Sequence, residues 1–266
     1  MPEIDPLIDE EIQTNISIFE ILREDCRTSA FSLTEPNGKI IDVEASFIPE
    51  PKWSVYLFRN VCFIFTLVVT YHSFRVSTVK LMWFGYLTHW SALVTLLYQG
   101  PILVCSMRSS LLPQPKPNET PYFLLRFIWA AYSVAISAEF FVTLLYWTLI
   151  HDWSESPTFL NIALHGIFAV LLVLDGVLIG KIPMRLKHLL FVEVYGICYI
   201  IWSFIHCLET VDDPIYNVLD WTQNPVFAGV LSIISAVFLL PIIFLTLWFL
   251  SYTSYCFGSR RILILA

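Results

Sequence analysis

Charge is what this chain has least of: only 14% of its residues are Asp, Glu, Lys or Arg, against 57% hydrophobic and 16% aromatic. A soluble domain has about 25% charge, and the mean hydropathy of +0.69 places the chain among polytopic membrane proteins. Cysteines are also few, six in all, and no spacing among them suggests a zinc site or a disulfide framework. They read as small apolar packing residues. No basic stretch followed by an apolar run stands near Met1, which leaves the first span to direct insertion itself. Haem, phosphate-loop and Ser-His-Asp spacings are absent, as is a visible internal repeat. The expected cofactor and metal are therefore none. The expected partners are membrane lipids, with an acyl lipid as substrate and no nucleic acid.

The charge that is present is unevenly spread. Residues 1–54 hold twelve of the 22 acids and four of the 15 basic residues, so the remainder is close to neutral. This first segment is expected to be cytosolic and weakly ordered. Glu35-Pro36-Asn37-Gly38, between two short β-prone runs, is a turn signal that allows either a small hairpin or an unordered tail.

Residues 55–255 are expected to form one six-helix transmembrane domain, followed by a short cytosolic tail over 256–266. Hydropathy places spans near 55–73, 81–107, 122–150, 158–180, 188–207 and 225–250. Gly100-Pro101 and Pro241 predict bends in the second and sixth. Lys and Arg flank the ends on the side of the termini, whereas 151–157 and 208–224 carry none. The positive-inside rule then puts both termini in the cytosol. The fold class is an all-α integral membrane protein, a six-transmembrane-helix bundle with cytosolic termini. On that orientation the sequons at Asn15 and Asn118 stay unglycosylated.

Ionisable groups inside spans are candidates for function. The fourth span carries Asn161, His165 and Asp175, with Asn161 and His165 one turn apart on a shared face. The second carries Thr88, Ser91, Thr95 and Gln99 on one helical face, and the third carries Tyr132, Glu139, Thr143 and Tyr146. Spans two and four run in the same direction, and Thr88 and His165 each lie about seven residues, or about 10 Å, below their starts. Glu139 and, at the end of the fifth span, His206 fall in the same half of the bilayer. A hydroxyl beside a neutral imidazole is what a threonine nucleophile with a general base requires. Thr88 and His165 are thus the candidate catalytic pair, with Glu139, His206, Asn161 and Tyr132 as candidate binding residues. Hydroxyls and imidazoles in membrane helices also serve as interhelical glue, and that reading stands beside the catalytic one.

Three stretches carry a resemblance: Pro51-Lys52-Trp53, Tyr86-Leu87-Thr88-His89-Trp90, and Ile215 to Trp221 with Pro225. With Leu160-Asn161 and His165, they make residues 50–255 similar to the rolling stone proteins and, more distantly, the androgen-induced membrane proteins of the same superfamily. The resemblance implies six spans with cytosolic termini. For the hydrolase branch it implies cleavage of fatty acid esters of hydroxy fatty acids, with the nucleophile falling on Thr88 and the catalytic histidine on His165. The rolling stone branch implies instead a non-catalytic role in myoblast-type fusion or adhesion, for which the loop over 208–224, with Asp212, Asp213, Asp220 and Trp221, is the natural surface.

Overall fold

A computed structural model describes residues 18–34, 40–114, 121–210 and 214–264. It is all-helical, with no strand among the described residues and one isolated antiparallel bridge, Thr34 to Ile40. The turn expected at Glu35–Gly38, the two sequons, and Asp212 and Asp213 lie outside the described residues.

Six helices are long and apolar enough to cross a membrane: α3 (Lys52–Val76), α5 (Leu87–Met107), α6 (Phe123–Ile150), α7 (Phe159–Ile179), α8 (Leu186–Glu209) and α9 (Pro225–Ser254). Shorter helices are α1 (Ile18–Arg27), α2 (Val43–Phe47) and α4 (Lys80–Trp83). Helices α5 and α6 form the centre of the bundle, and α8 and α9 turn most of their surface outward. The outward surface is apolar: Val61, Val68, Val226, Ile233, Phe238 and Ile242 are all more than half exposed. In water such a face would far exceed the few hundred Å² that monomers tolerate, whereas lipid tails cover it without cost.

Two departures from expectation shape the molecule. The described part of the amino-terminal segment is docked instead of loose. Asp25, 2% exposed, accepts from Arg185 Nη1 (2.9 Å), the backbone N–H of Leu186 (2.8 Å) and Trp248 Nε1 (3.1 Å). Arg185 Nη2 donates to the carbonyls of Ser32 and Thr34. Ile21, Ile41, Val43, Phe47 and Ile48 join the main core. A mostly acidic stretch is thereby held on the end of the bundle that carries both described chain ends, here the terminal end.

The second departure is at the opposite, far end. The expected continuous span over 81–107 is broken: α4 stops at Trp83, and α5 starts only at Leu87. The reason is local. Gly85 N–H closes a tight turn on the Met82 carbonyl at 2.8 Å. The carbonyls that α4 leaves unpaired are taken by side chains of α5: His89 Nδ1 on Trp83 O (2.5 Å) and Trp90 Nε1 on Phe84 O (2.6 Å). His89 also stacks on Trp83, centroids 4.1 Å apart. This break makes Thr88 the second residue of a helix instead of an interior one.

Helix α5 runs unbroken past Pro101. In α9 a π-helical stretch, Ser235–Leu239, ends two residues before Pro241; the wider turn accommodates a residue that has no N–H for the ladder. Further π-helical stretches lie at Tyr146–Ile150, Ala163–Ile167 and Val173–Ile179. The helix of α9 continues in its backbone to Ile264, across most of the expected tail.

Candidate functional site

At the far end, α5, α6, α8, α9 and the loop before α9 line a cleft that is open at its mouth. Its wall is almost wholly apolar: Phe141, Leu145, Leu149, Ile200, Leu231 and Leu240 are typical. Thr88 borders it where α5 begins, and Tyr195, Tyr199 and Tyr216 contribute phenols. Thr88 is 7% exposed.

The start of α5 is unusual in what it leaves free. Its cap residue, Tyr86, provides no side-chain hydrogen bond, and backbone pairing begins only with the N–H groups of His89 and Trp90 on the Tyr86 carbonyl. The N–H groups of Leu87 and Thr88 therefore point out of the helix. The Tyr216 phenol lies within hydrogen-bonding reach of both, and of the Thr88 hydroxyl. Tyr199 donates to Gly85 O at 3.1 Å and also approaches Leu87 N–H and Tyr216. A helix start presents partial positive charge as well as free donors.

His165 sits in the π-helical stretch of α7, and its backbone (φ −115°, ψ 29°) leaves the helical region. That turns its carbonyl outward to accept from Trp147 Nε1 at 2.6 Å. The imidazole lies flat on Tyr146, with centroids 3.6 Å apart and planes 3° apart. Its Nδ1 is buried without a partner. Tyr146 also lines the cleft, so one ring is shared between the histidine and the chamber that Thr88 borders. No hydrogen bond joins Thr88 and His165.

The remaining candidates separate. Glu139 is fully buried; its Oε1 accepts from Thr95 Oγ1 at 3.1 Å, Ser91 is also within reach, and Oε2 has no partner. It makes no bond to His165. His206 stays at the far end, with Nε2 3.3 Å from Met82 Sδ and Nδ1 3.4 Å from Thr210 Oγ1, and it does not reach His165 either. The imidazole is oriented by stacking on Tyr146, with neither Glu139 nor His206 bonded to it. Asn161 lies within reach of the Tyr146 hydroxyl and so belongs to this group.

Tyr132 does not line the cleft. It is packed in the terminal half against Tyr98, centroids 5.1 Å apart, and so tightly against Gly176 that a Cβ there would overlap its ring. It borders a polar cluster that sequence reading did not assemble. Asp175 accepts from Arg59 Nε (2.7 Å) and Tyr98 OH (2.6 Å), while Arg59 Nη1 donates to Phe47 O (2.6 Å) and Ser106 Oγ (2.7 Å). Arg59 and Asp175 stand 116 residues apart in the chain, which is why no local pattern pairs them. Among the described residues no group of three His, Cys, Asp or Glu could hold a metal.

Scans against protein-family models, curated proteins and solved structures return no match. The side chains themselves therefore carry the functional reading. In the loop over 214–224 several side chains are engaged locally or with the bundle. Asp220 Oδ1 accepts from the N–H groups of Thr222 and Gln223, which hold its carboxyl below the usual carboxylate range. Trp221 Nε1 donates to Ser203 Oγ at 3.2 Å and its ring packs on Phe204. Tyr216 and Leu219 roof the cleft. Exchanging this loop would dismantle the chamber as well as the surface.

Proposed function

We propose that this is a multi-pass integral membrane protein with cytosolic termini that hydrolyses lipid esters by a threonine nucleophile. One observation carries the reading: an almost wholly apolar cleft is bordered at the start of α5 by the Thr88 hydroxyl. An acyl chain enters from the bilayer and lies along the apolar wall, which brings its ester to Thr88. Thr88 Oγ attacks the carbonyl carbon and its proton passes to His165, whose Nδ1 has no competing partner. The protonated imidazole then gives that proton to the departing alcohol oxygen. The resulting acyl-threonine is cleaved by water, with His165 again taking the proton and returning it to Thr88. In an empty site a nucleophile and its base commonly stand apart and close up on substrate. The resemblance to the androgen-induced and rolling stone superfamily supports the same pair and points to fatty acid esters of hydroxy fatty acids as the substrate class.

The test is labelling of the purified protein by a fluorophosphonate probe, with the adduct mapped by mass spectrometry. The expected adduct is on Thr88, absent in Thr88→Ala and formed at least about 10²-fold more slowly in His165→Ala. Equal labelling of all three proteins, or an adduct elsewhere, refutes the assignment.

A further inference from the structure

Tyr216 lines the cleft that Thr88 borders, and its ring stands against Tyr86, the cap residue of α5. A phenol has one proton and two lone pairs. Because Tyr216 lines the same cleft as Thr88, its O–H can be donated to an acceptor held there. A second observation places an unpaired polar group in the same chamber: Ser232, 6% exposed, lines the cleft and its hydroxyl has no partner.

The position of Tyr216 is fixed from three sides. It belongs to the short turn leading into Asn217–Leu219, its ring stands edge-on to Tyr86 with centroids 5.6 Å apart, and Tyr199 lies beside its hydroxyl. Tyr86 and Thr88 belong to the start of α5, so phenol and nucleophile are held by the same piece of backbone.

We propose that Tyr216 is a further catalytic residue of this site, the donor to the acyl carbonyl oxygen at which negative charge develops when Thr88 attacks. It rests on the lipid-ester reading for the identity of the nucleophile. The donor is a side chain from the far-end loop, itself anchored on a helix start. The proton stays on Tyr216 throughout; only the strength of the hydrogen bond changes as the carbonyl oxygen becomes an oxyanion, and no bond is made or broken there. Donors of this kind act because they are already oriented before charge appears.

The test uses full-length protein in detergent and a long-chain ketone labelled with ¹³C at its carbonyl, which cannot be hydrolysed, read by infrared spectroscopy. The carbonyl band of the bound ketone is expected at lower frequency in wild type and in Thr88→Ala, and at its unperturbed frequency in Tyr216→Phe. Tyr199→Phe, whose native hydroxyl donates to Gly85 O, is expected to keep the shift and controls for general disturbance of the loop. In turnover of a lipid ester, Tyr216→Phe is expected to lower kcat by about 10²-fold with KM little changed. A shift that survives in Tyr216→Phe, or no shifted band in wild type, overturns the proposal. If the shifted band is present but Thr88 neither labels nor turns over an ester, the carbonyl donor stands and the hydrolase reading alone falls.

Discussion

Replacing Arg59 by Met separates the two halves of a buried ion pair without leaving a large hole. Arg59 and Asp175 are 2% and 5% exposed at their side chains, and their N···O distance is 2.7 Å. In Arg59→Met the Asp175 carboxylate keeps only the Tyr98 hydroxyl, while the carbonyl of Phe47 and the hydroxyl of Ser106 each lose a donor. Breaking one side of such a pair costs about 3–5 kcal/mol, because the remaining charge stays buried and uncompensated. Removing both charges is a different matter, since desolvation consumes most of what their attraction returns. Arg59→Met/Asp175→Leu is therefore expected within about 2 kcal/mol of wild type, which, with each single variant at about 3 kcal/mol or more, gives a coupling energy of at least about 4 kcal/mol in the double-mutant cycle. Reversible unfolding in mixed micelles, followed by circular dichroism, measures all four proteins. A single variant within about 1 kcal/mol of wild type, or a double variant as unstable as the two singles added together, would refute the view that the pair is desolvated in the bundle.

Two further outcomes follow from the docked and looped segments. Asp25→Ala removes the acceptor shared by Arg185, Leu186 and Trp248; a loss of about 3 kcal/mol in local stability raises trypsin cleavage at Arg23 and Arg27 by about 10²-fold, and unchanged cleavage would mean that Asp25 does not hold α1. Asp220, whose carboxyl the N–H groups of Gln223 and Thr222 hold below the usual range, stabilises its turn above the ordinary carboxylate pKa and loses that contribution as pH falls through the depressed value. A 5-fluorotryptophan resonance at Trp221 should therefore move on acidification in wild type but not in Asp220→Asn, and identical titrations would exclude Asp220 as the cause.

The class of fold was legible in composition alone. Six apolar stretches of sufficient length leave few alternatives, since a backbone in lipid must satisfy its hydrogen bonds within each helix. The expected spans fall on the six long helices, and the polar stripe Thr88, Ser91, Thr95 and Gln99 turns inward as its period requires, every member buried. Helical periodicity reports which side of a helix is polar, and depth follows from counting residues at 1.5 Å each.

What sequence could not give is how the helices are rotated against one another and where each begins. Depth alone put Glu139, His206 and His165 together, but bundle geometry sends Glu139 to Thr95, His206 to Met82 and His165 to Tyr146. Tyr132, also inward-facing, belongs to the Arg59 and Asp175 cluster in the other half. Hydropathy reads straight through the turn at Gly85 because Phe84, Tyr86 and Leu87 are as apolar as a helix interior. The break is made by contacts six residues apart that hydropathy does not register: His89 and Trp90 take the carbonyls of Trp83 and Phe84 and open the helix there. The same break exposes the N–H groups of Leu87 and Thr88 that an uninterrupted span would have paired. The docking of the acidic amino-terminal segment was equally invisible, because it depends on a carboxylate at position 25 meeting a guanidinium at position 185. Local pattern fixes the elements and their inward faces. Contacts between residues far apart in the chain decide which of those faces meet.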